Sequence, residues 1–260
     1  MTVSRWTKEQ LKLAFHLYCQ LPFGKLHHTN KEIIELARLI GRTPSAVSMK
    51  LCNFASFDPA ITSSGRSGLK GASALDREVW DEFNADWDAL AVQTIHIREQ
   101  AMAEKGISTE TSAESDASDD VGDFTGETQR VLTEQRVRQD FFRRAVLSSY
   151  HGKCCMSGLS EPRLLVASHI VPWSKDRENR LNPRNGLCLS ALHDKAFDRG
   201  LIALDDDFRV LLSSELKRRN EPFIRQFFLP LEGQGINLPE RFAPNQAFLQ
   251  RHRQEVFLPT

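Results

Sequence analysis

The sequence has no long hydrophobic run. No segment of its 260 residues approaches the roughly 18 consecutive apolar residues of a membrane span. The first residues do not form the charged start and apolar core of a secretory signal. We therefore expect a cytoplasmic protein without membrane contact. A hydrophobic fraction of 40% and a charged fraction of 26% are ordinary for a globular chain and exclude a fibrous or wholly disordered one.

Cysteines are few and irregularly spaced. The chain contains no Cys-x-x-Cys pair, which is the usual ligand spacing of a structural zinc, and two of its cysteines are adjacent. We therefore expect neither a structural zinc nor a disulfide framework. The pattern suits a reducing compartment, in which the thiols are small buried side chains. The five positions are Cys19, Cys52, Cys154, Cys155 and Cys188.

The formal net charge is zero, but the charges are unevenly distributed. Seven acids and no Lys or Arg lie between Ser108 and Thr128, which leaves 34 Lys and Arg against 27 Asp and Glu elsewhere, a net charge of +7. The acidic segment is poor in large apolar residues, as flexible linkers are. We predict an N-terminal domain over residues 1–104, an acidic linker over 105–130 and a second domain over 131–260. Two blocks carry the excess: residues 1–71 have ten Lys and Arg against four acids, and residues 129–260 have 21 against 15. Both could face a polyanion, with a scattered solvated surface as the alternative.

The N-terminal block has the spacing of a helix-turn-helix. Asn30 can cap a helix that Gly41 ends, and Thr43-Pro44 opens another helix up to Phe54. The second helix of such a pair lies in the major groove of DNA, so its polar residues are expected to be exposed contacts. A three-helix packing unit without nucleic-acid contact is the alternative. The candidate DNA contacts are Arg42, Ser45, Ser48, Lys50 and Asn53. Residues 74–104 follow as one amphipathic helix.

The second domain brings polar residues together through a strand, strand, helix pattern. After a helix predicted from Leu132 to Tyr150, an apolar strand ends near His169. A turn-rich segment then leads through Asn185 to a second strand, and a helix from Ser190 carries His193. Two histidines and an asparagine framed in this way indicate a compact site rather than core packing.

With Ser168-His169-Ile170-Val171-Pro172-Trp173 and His193-Asp194-Lys195-Ala196-Phe197-Asp198-Arg199-Gly200, this region resembles the HNH endonuclease family in its variant with these two motifs. The resemblance covers roughly residues 136–212. It implies a ββα-metal fold, so the whole chain is expected to be α+β, with an all-α helix-turn-helix-like domain joined by the acidic linker to the nuclease domain. It also implies a metal-dependent DNA endonuclease of restriction or defence type.

The chemistry of phosphodiester cleavage assigns roles to these residues. His169 is the expected general base, because an imidazole can take a proton from water near neutral pH. By resemblance, Asn185 holds the loop that carries the base, with direct metal ligation as an alternative, and His193 is a metal ligand. Many HNH enzymes have an Asp or His where this chain has Ser168, so Asp198 is the candidate second ligand. Its alternative roles are pairing with Arg199 or capping a turn.

The resemblance also implies cofactors and partners. We expect Mg²⁺ or Mn²⁺, although imidazole ligation also suits Zn²⁺ or Ni²⁺. Double-stranded DNA is the expected partner, with Arg184, Lys195 and Arg199 as phosphate anchors beside the site. Whether two copies form a homodimer is left open. The alternative function is a DNA-binding regulator with an inactive HNH-like domain, for which Ser168 is the only support.

Overall fold

The computed structural model describes residues 5–66, 68–106 and 126–259, with the side chains of the last range described from residue 135. The N-terminal part contains α1 (Lys8–Gln20), α2 (Lys31–Ile40), α3 (Pro44–Ala55), α4 (Pro59–Ser63), α5 (Ala74–Ala85) and α6 (Trp87–Glu104). The remainder contains α7 (Gly126–Ser149), β1 (Leu165–His169), β2 (Gly186–Ser190), α8 (Ala191–Asp198), β3 (Ile202–Leu204), β4 (Val210–Leu212), α9 (Ser214–Arg218), α10 (Pro222–Phe227) and α11 (Gln246–Glu255). This mixture agrees with the predicted α+β class. No helix among the described residues has both the length and the apolar character needed to cross a bilayer.

Among the first three helices, α2 and α3 begin at the capping residues predicted for them, and α2 ends at Gly41 as predicted. The Asn30 side chain accepts from the Glu32 N–H, and Gly41 adopts the left-handed conformation (φ 67°) that closes α2. Thr43 caps α3 by accepting from the Ala46 N–H. The three helices pack on one another around Phe15, whose ring centroid lies 5.1 Å from that of Phe54.

Two predicted helices have different bounds in the structure. The single helix expected over residues 74–104 is wrong, because the chain breaks at Asp86 into α5 and α6. Asp86 is extended and its carboxylate accepts from the Ala89 N–H, so a strong N-cap residue starts a new helix there. Helix α7 begins at Gly126 rather than Leu132, so residues 126–130 are helical instead of linker. Most of the predicted linker lies outside the described residues.

Helix α7 connects the N-terminal helices to the small sheets. It contacts α1 and α6, and it also packs against β1 and β2. A second connection is Arg241, which is fully buried and donates to the backbone carbonyls of Tyr18 (2.7 Å) and Leu21. The predicted division of the chain into two domains and a linker stays a prediction.

The two sheets are short antiparallel pairs. In the first, β1 pairs with β2 so that Ala167 lies opposite Cys188 and His169 lies opposite Gly186. Gly186 allows α7 to approach this end of the sheet, since a methyl group there would collide with the Val146 side chain. The second sheet is the antiparallel hairpin of β3 and β4. The end of β1 that carries His169 is therefore fixed against α7.

Candidate active site

Strands β1 and β2 and helix α8 form a compact ββα unit. His169 is the last residue of β1, and α8 starts directly after β2. Ser190 caps α8 by accepting from the backbone N–H of His193, which fixes His193 in the first turn. The unit therefore brings the two histidines predicted from the sequence to neighbouring elements.

The hydrogen bond made by His169 defines its tautomer. Its Nε2 lies 2.9 Å from the backbone carbonyl oxygen of Arg180. Because a carbonyl only accepts, Nε2 carries the proton and Nδ1 retains its lone pair. Burial lowers the pKa of His169 below its ordinary value, against the opposing effects of the Arg180 carbonyl and the Asp194 carboxylate. The ring is thus a neutral imidazole with a free acceptor nitrogen at neutral pH.

Aromatic side chains hold the His169 ring in place. The ring stacks on Phe142 of α7 with centroids 3.8 Å apart, and Trp173 approaches it edge-on at 5.5 Å. These three residues line a cavity of about 330 Å³ between α7 and β1. His169 is therefore rigidly placed and still reaches an open space.

Asn185 ties together the loop that joins β1 to β2. Its Oδ1 accepts from the Val171 N–H (2.8 Å), and its Nδ2 donates to the carbonyls of Val171 (3.1 Å) and Asn179 (3.2 Å). Asn179 precedes Arg180, whose carbonyl accepts from His169. The buried amide thus lies one residue away from the group that sets the tautomer of the base.

His193 is buried, with 5% of its surface exposed. Its Nδ1 lies 3.4 Å from the Sγ of Cys154, and Phe228 packs edge-on against its ring at 5.9 Å. Burial raises the pKa of the Cys154 thiol, but hydrogen bonds from His193 and from Ser157 outweigh burial and bring the pKa to about 6. With Nδ1 engaged in this way, Nε2 is the nitrogen of His193 left to bind another group.

Acidic residues of α8 lie close to the histidines. Asp198 lies at the end of the helix and is exposed as a residue. The pKa of its carboxyl group is raised, mainly because the group is partly removed from water and secondly because the Asp194 carboxylate is near. Within residues 126–259, Asp198 forms no ion pair with Arg199, which was one alternative predicted for it. Asp194 acts on the pKa of both His169 and Asp198, so it faces the same region as the predicted ligand.

A divalent ion fits this region only as a sparsely ligated centre. Across residues 5–66, 68–106 and 126–259, no three His, Cys, Asp or Glu side chains are grouped closely enough to hold a metal ion. The buried Ser168 hydroxyl, at the position of the ligand that many HNH enzymes have, has no hydrogen-bond partner among the described residues. One imidazole with nearby carboxylates suits an ion such as Mg²⁺, which keeps several waters and binds substrate phosphate.

The cations predicted as phosphate anchors remain available near α8. Lys195 and Arg199 are exposed, and Arg184 is half-buried at the turn before β2. None of the three forms an ion pair within the part of the chain that the structure describes. Their charged groups are therefore not held by a direct carboxylate contact, although Lys195 and Arg199 lie near enough to Asp198 to lower its pKa.

The candidate DNA contacts of α3 are arranged differently. The expectation that Lys50 and Asn53 are exposed is wrong, since only 8% and 7% of their surfaces are exposed. Lys50 forms a buried ion pair with Asp76 (2.9 Å), and Asn53 donates to the Gly71 carbonyl (3.2 Å). The reason is that α5 and the loop before it cover this face of α3, which the sequence of α3 alone does not reveal.

The other candidate contacts of this block have mixed surroundings. Ser48 donates to the Leu26 carbonyl, so its hydroxyl is committed within the fold. Arg42 is half-buried, donates to Gln10 (2.9 Å) and lies over the Trp6 ring. Ser45 is exposed at the start of α3. The structure therefore leaves a smaller exposed polar surface on α3 than the sequence suggests.

Two residues of the site escape sequence reasoning. The sequence predicts no more for Cys154 than a small buried side chain, and no spacing links it to His193, 39 positions later. Asp194 follows His193 directly on the predicted helix, and this position next to a candidate ligand is the feature of the sequence that could have indicated it.

Comparison with known proteins agrees with this geometry. Residues 154–205 match the sequence model of the HNH endonuclease family. The matched segment begins at Cys154 and contains β1, β2 and α8, so it includes His169, Asn185 and His193. The resemblance predicted from the two motifs is confirmed for this segment. No curated protein matches the chain.

Proposed function

We propose that the chain is a metal-dependent endonuclease that hydrolyses phosphodiester bonds of double-stranded DNA. The match of residues 154–205 to the model of the HNH endonuclease family supports nuclease activity. The observation that carries this proposal is the His169 ring. It is a neutral imidazole whose Nε2 proton is held by the Arg180 carbonyl, and the residue lines an open cavity.

His169 acts as the general base through Nδ1. Nδ1 takes a proton from a water molecule, whose oxygen attacks the phosphorus while the bond to the leaving oxygen breaks. The Arg180 carbonyl stabilises the imidazolium that forms, because it accepts from the other ring nitrogen. Stacking on Phe142 keeps the ring from rotating away from the phosphate. General base catalysis of this kind contributes about 10²- to 10⁴-fold to a rate.

Asn185 is a positioning residue in this proposal. Its donation to the Asn179 carbonyl fixes the backbone next to Arg180, and so fixes the acceptor of the His169 proton. All of its amide hydrogen-bonding groups are used within the loop. These contacts support bracing rather than direct ligation of an ion.

His193 and Asp198 are the residues proposed to hold the metal ion, which is Mg²⁺ or Mn²⁺. A bound divalent ion neutralises negative charge on the scissile phosphate and the leaving oxygen. His193 offers Nε2 and Asp198 offers a carboxylate from the same short helix. Asp194, close enough to act on the pKa of Asp198, adds negative charge that favours a cation.

Arg184, Lys195 and Arg199 are proposed to bind DNA phosphates on either side of the cleaved bond. Two of them are exposed and none forms an ion pair within the described part of the chain. Contacts to phosphates position the duplex without reading its sequence. Ser45 is the candidate of α3 that we retain as a DNA contact, because it is exposed.

Plasmid nicking tests the proposal. Supercoiled DNA is incubated with the full chain under Mg²⁺, Mn²⁺ or Ni²⁺, alongside His169→Gln, His169→Ala and the control His28→Ala. His28 is exposed in the N-terminal block, so its removal changes neither the fold nor the site. We expect the wild type and the control to nick equally and both His169 variants to be slower by about 10²-fold or more.

His169→Gln is the sharper variant, because its amide can still donate to the Arg180 carbonyl although it cannot act as a base. Circular dichroism shows whether each variant is folded. Absence of nicking by the wild type with every metal, or undiminished nicking by folded His169→Gln, contradicts the proposal.

A restriction or defence role is the biological part of the proposal, and it rests on the motif variant. We expect cells that express the wild type to reduce phage plating and cells that express His169→Gln not to. Equal plating on both contradicts this role without affecting the proposed chemistry.

A further inference from the structure

Cys154 and His193 form a buried contact that the proposed mechanism does not use. The Cys154 side chain is 0% exposed, and its Sγ lies 3.4 Å from Nδ1 of His193. This is within the range of a hydrogen bond to sulfur. The two residues are 39 positions apart, so the contact is a product of the fold rather than of local sequence.

Both partners are held by their backbones. The N–H of Cys154 donates to the Leu159 carbonyl and its carbonyl accepts from the Gly158 N–H, each at 2.8 Å, so the residue belongs to a tight turn. The next N–H, of Cys155, donates to the Cys188 carbonyl of β2 at 2.8 Å. His193 is fixed by the Ser190 cap at the start of α8. The sulfur therefore keeps its place relative to the imidazole without support from a ligand.

We propose that Cys154 is a positioning residue that holds the His193 ring with Nε2 directed to the metal ion. The proposal rests on the function proposed above. An imidazole that binds an ion through Nε2 keeps its proton on Nδ1, and that proton needs an acceptor in a buried site. The Sγ of Cys154 is the acceptor at that nitrogen. In most metal-binding histidines, a carboxylate or a backbone carbonyl accepts the proton of the ring nitrogen that does not bind the metal, and here sulfur has that role.

Direct ligation by sulfur is the rival explanation. A sulfur and a nitrogen 3.4 Å apart could also share one ion. Such a closed site needs further protein donors, and no third His, Cys, Asp or Glu joins this pair in the described ranges of the chain. The engagement of Nδ1 rather than Nε2 also leaves the outer nitrogen of His193 to bind the ion. The geometry therefore favours positioning over ligation.

Co²⁺ binding to the full chain tests the proposal. Isothermal titration measures the affinity of wild type, Cys154→Ala, Cys154→Ser, His193→Ala and the control Cys52→Ala, a half-buried cysteine of α3. Loss of binding in His193→Ala locates the ion. We expect Cys154→Ala to bind about 10- to 100-fold more weakly, as when an outer partner of a ligand is removed. Cys154→Ser keeps an acceptor oxygen and should recover part of the affinity, and Cys52→Ala should not change it.

Two results overturn the proposal. One is an unchanged Co²⁺ affinity in Cys154→Ala. The other is a sulfur-to-cobalt charge-transfer band in the wild type that Cys154→Ala removes, because such a band means that the sulfur is a ligand. If Cys154→Ala does not fold, Cys154→Val, which fills the space of the thiol without offering an acceptor, replaces it in both measurements. A wild type that binds Co²⁺ in a Cys154-dependent way but never nicks DNA supports the positioning role while the proposed nuclease function fails.

Discussion

Helix α3 and the ββα unit both carry polar side chains next to a turn. In α3 these side chains are bonded within the fold, whereas in the ββα unit some of them keep a group free for a ligand. In α3, Lys50 is paired with Asp76 and Asn53 donates to the Gly71 carbonyl, so both are part of the N-terminal core. In the ββα unit, His169 keeps an unshared nitrogen and Lys195 keeps an unpaired charge among the described residues.

This difference shows what separates a structural polar residue from a functional one. A polar side chain whose hydrogen-bonding groups are all used inside the fold stabilises the fold and has nothing left for a ligand. A side chain fixed through one group while another group stays free is prepared to act on a substrate. His169 and His193 are of the second kind, since each has one ring nitrogen engaged and one available.

The largest expected effect concerns the two lysines. Lys50→Ala leaves Asp76 buried without its partner, and we expect the free energy of unfolding to fall by about 3 kcal/mol or more. Lys195→Ala removes an exposed, unpaired charge and should change the free energy of unfolding by less than about 0.5 kcal/mol. Urea unfolding followed by tryptophan fluorescence measures both. The double variant Lys50→Met, Asp76→Leu, which replaces the pair by apolar side chains, should recover most of the lost stability. Equal losses for the two single variants would remove the distinction between the regions.

The next effect concerns the two asparagines. Asn185→Asp loses both amide donations, to Val171 and to Asn179, at a cost of about 1 to 3 kcal/mol for each unsatisfied group. If this cost loosens the loop next to Arg180, the nicking rate at saturating metal falls about tenfold or more. Asn53→Asp loses one donation, to Gly71, and should lower stability without changing the rate of the folded enzyme. A faster or tighter metal-dependent reaction in Asn185→Asp contradicts bracing and indicates ligation by residue 185.

The sequence predicts the ββα unit well because its signals are local. Motif residues, turn formers and capping residues lie within a few positions of one another, so β1, β2 and α8 appear where the pattern indicates. The caps of α2 and α3 were predictable for the same reason. The break at Asp86 does not follow from the apolar stripe, which continues across it; the capping preference of Asp86 ends α5 and starts α6 there.

The burial of Lys50 and Asn53 and the contact of Cys154 with His193 depend on distant parts of the chain. Lys50 is paired with Asp76 of α5, 26 positions away, and Cys154 contacts His193 of α8, 39 positions away. No periodicity within α3 or around Cys154 indicates these partners. Exposure and hydrogen-bond partners at such positions follow from tertiary packing alone.

A smaller effect is expected in the salt dependence of DNA binding. Each lost phosphate contact lowers the slope of log affinity against log salt by about 0.9 for a duplex. We expect this decrease for Lys195→Ala and for Arg199→Ala, measured by fluorescence anisotropy with Ca²⁺ in place of the catalytic metal. The double variant Lys50→Met, Asp76→Leu should keep the wild-type slope, because Lys50 is neutralised within the fold. A lower slope in that variant would place α3 on the DNA after all.

The smallest expected effect is in the pH dependence of nicking. A base acts in its neutral form, so its rate falls as the pH drops through its pKa. Because burial lowers the pKa of His169 from 6.5, the acid limb of the single-turnover rate should lie below pH 6.5. Phe142→Leu exposes the stacked ring to more water and should move that limb upward toward pH 6.5. Rates are measured at saturating Mn²⁺, so that competition between protons and metal does not contribute. An acid limb at or above pH 6.5 in the wild type would mean that the ring is not shielded as its stacking on Phe142 requires.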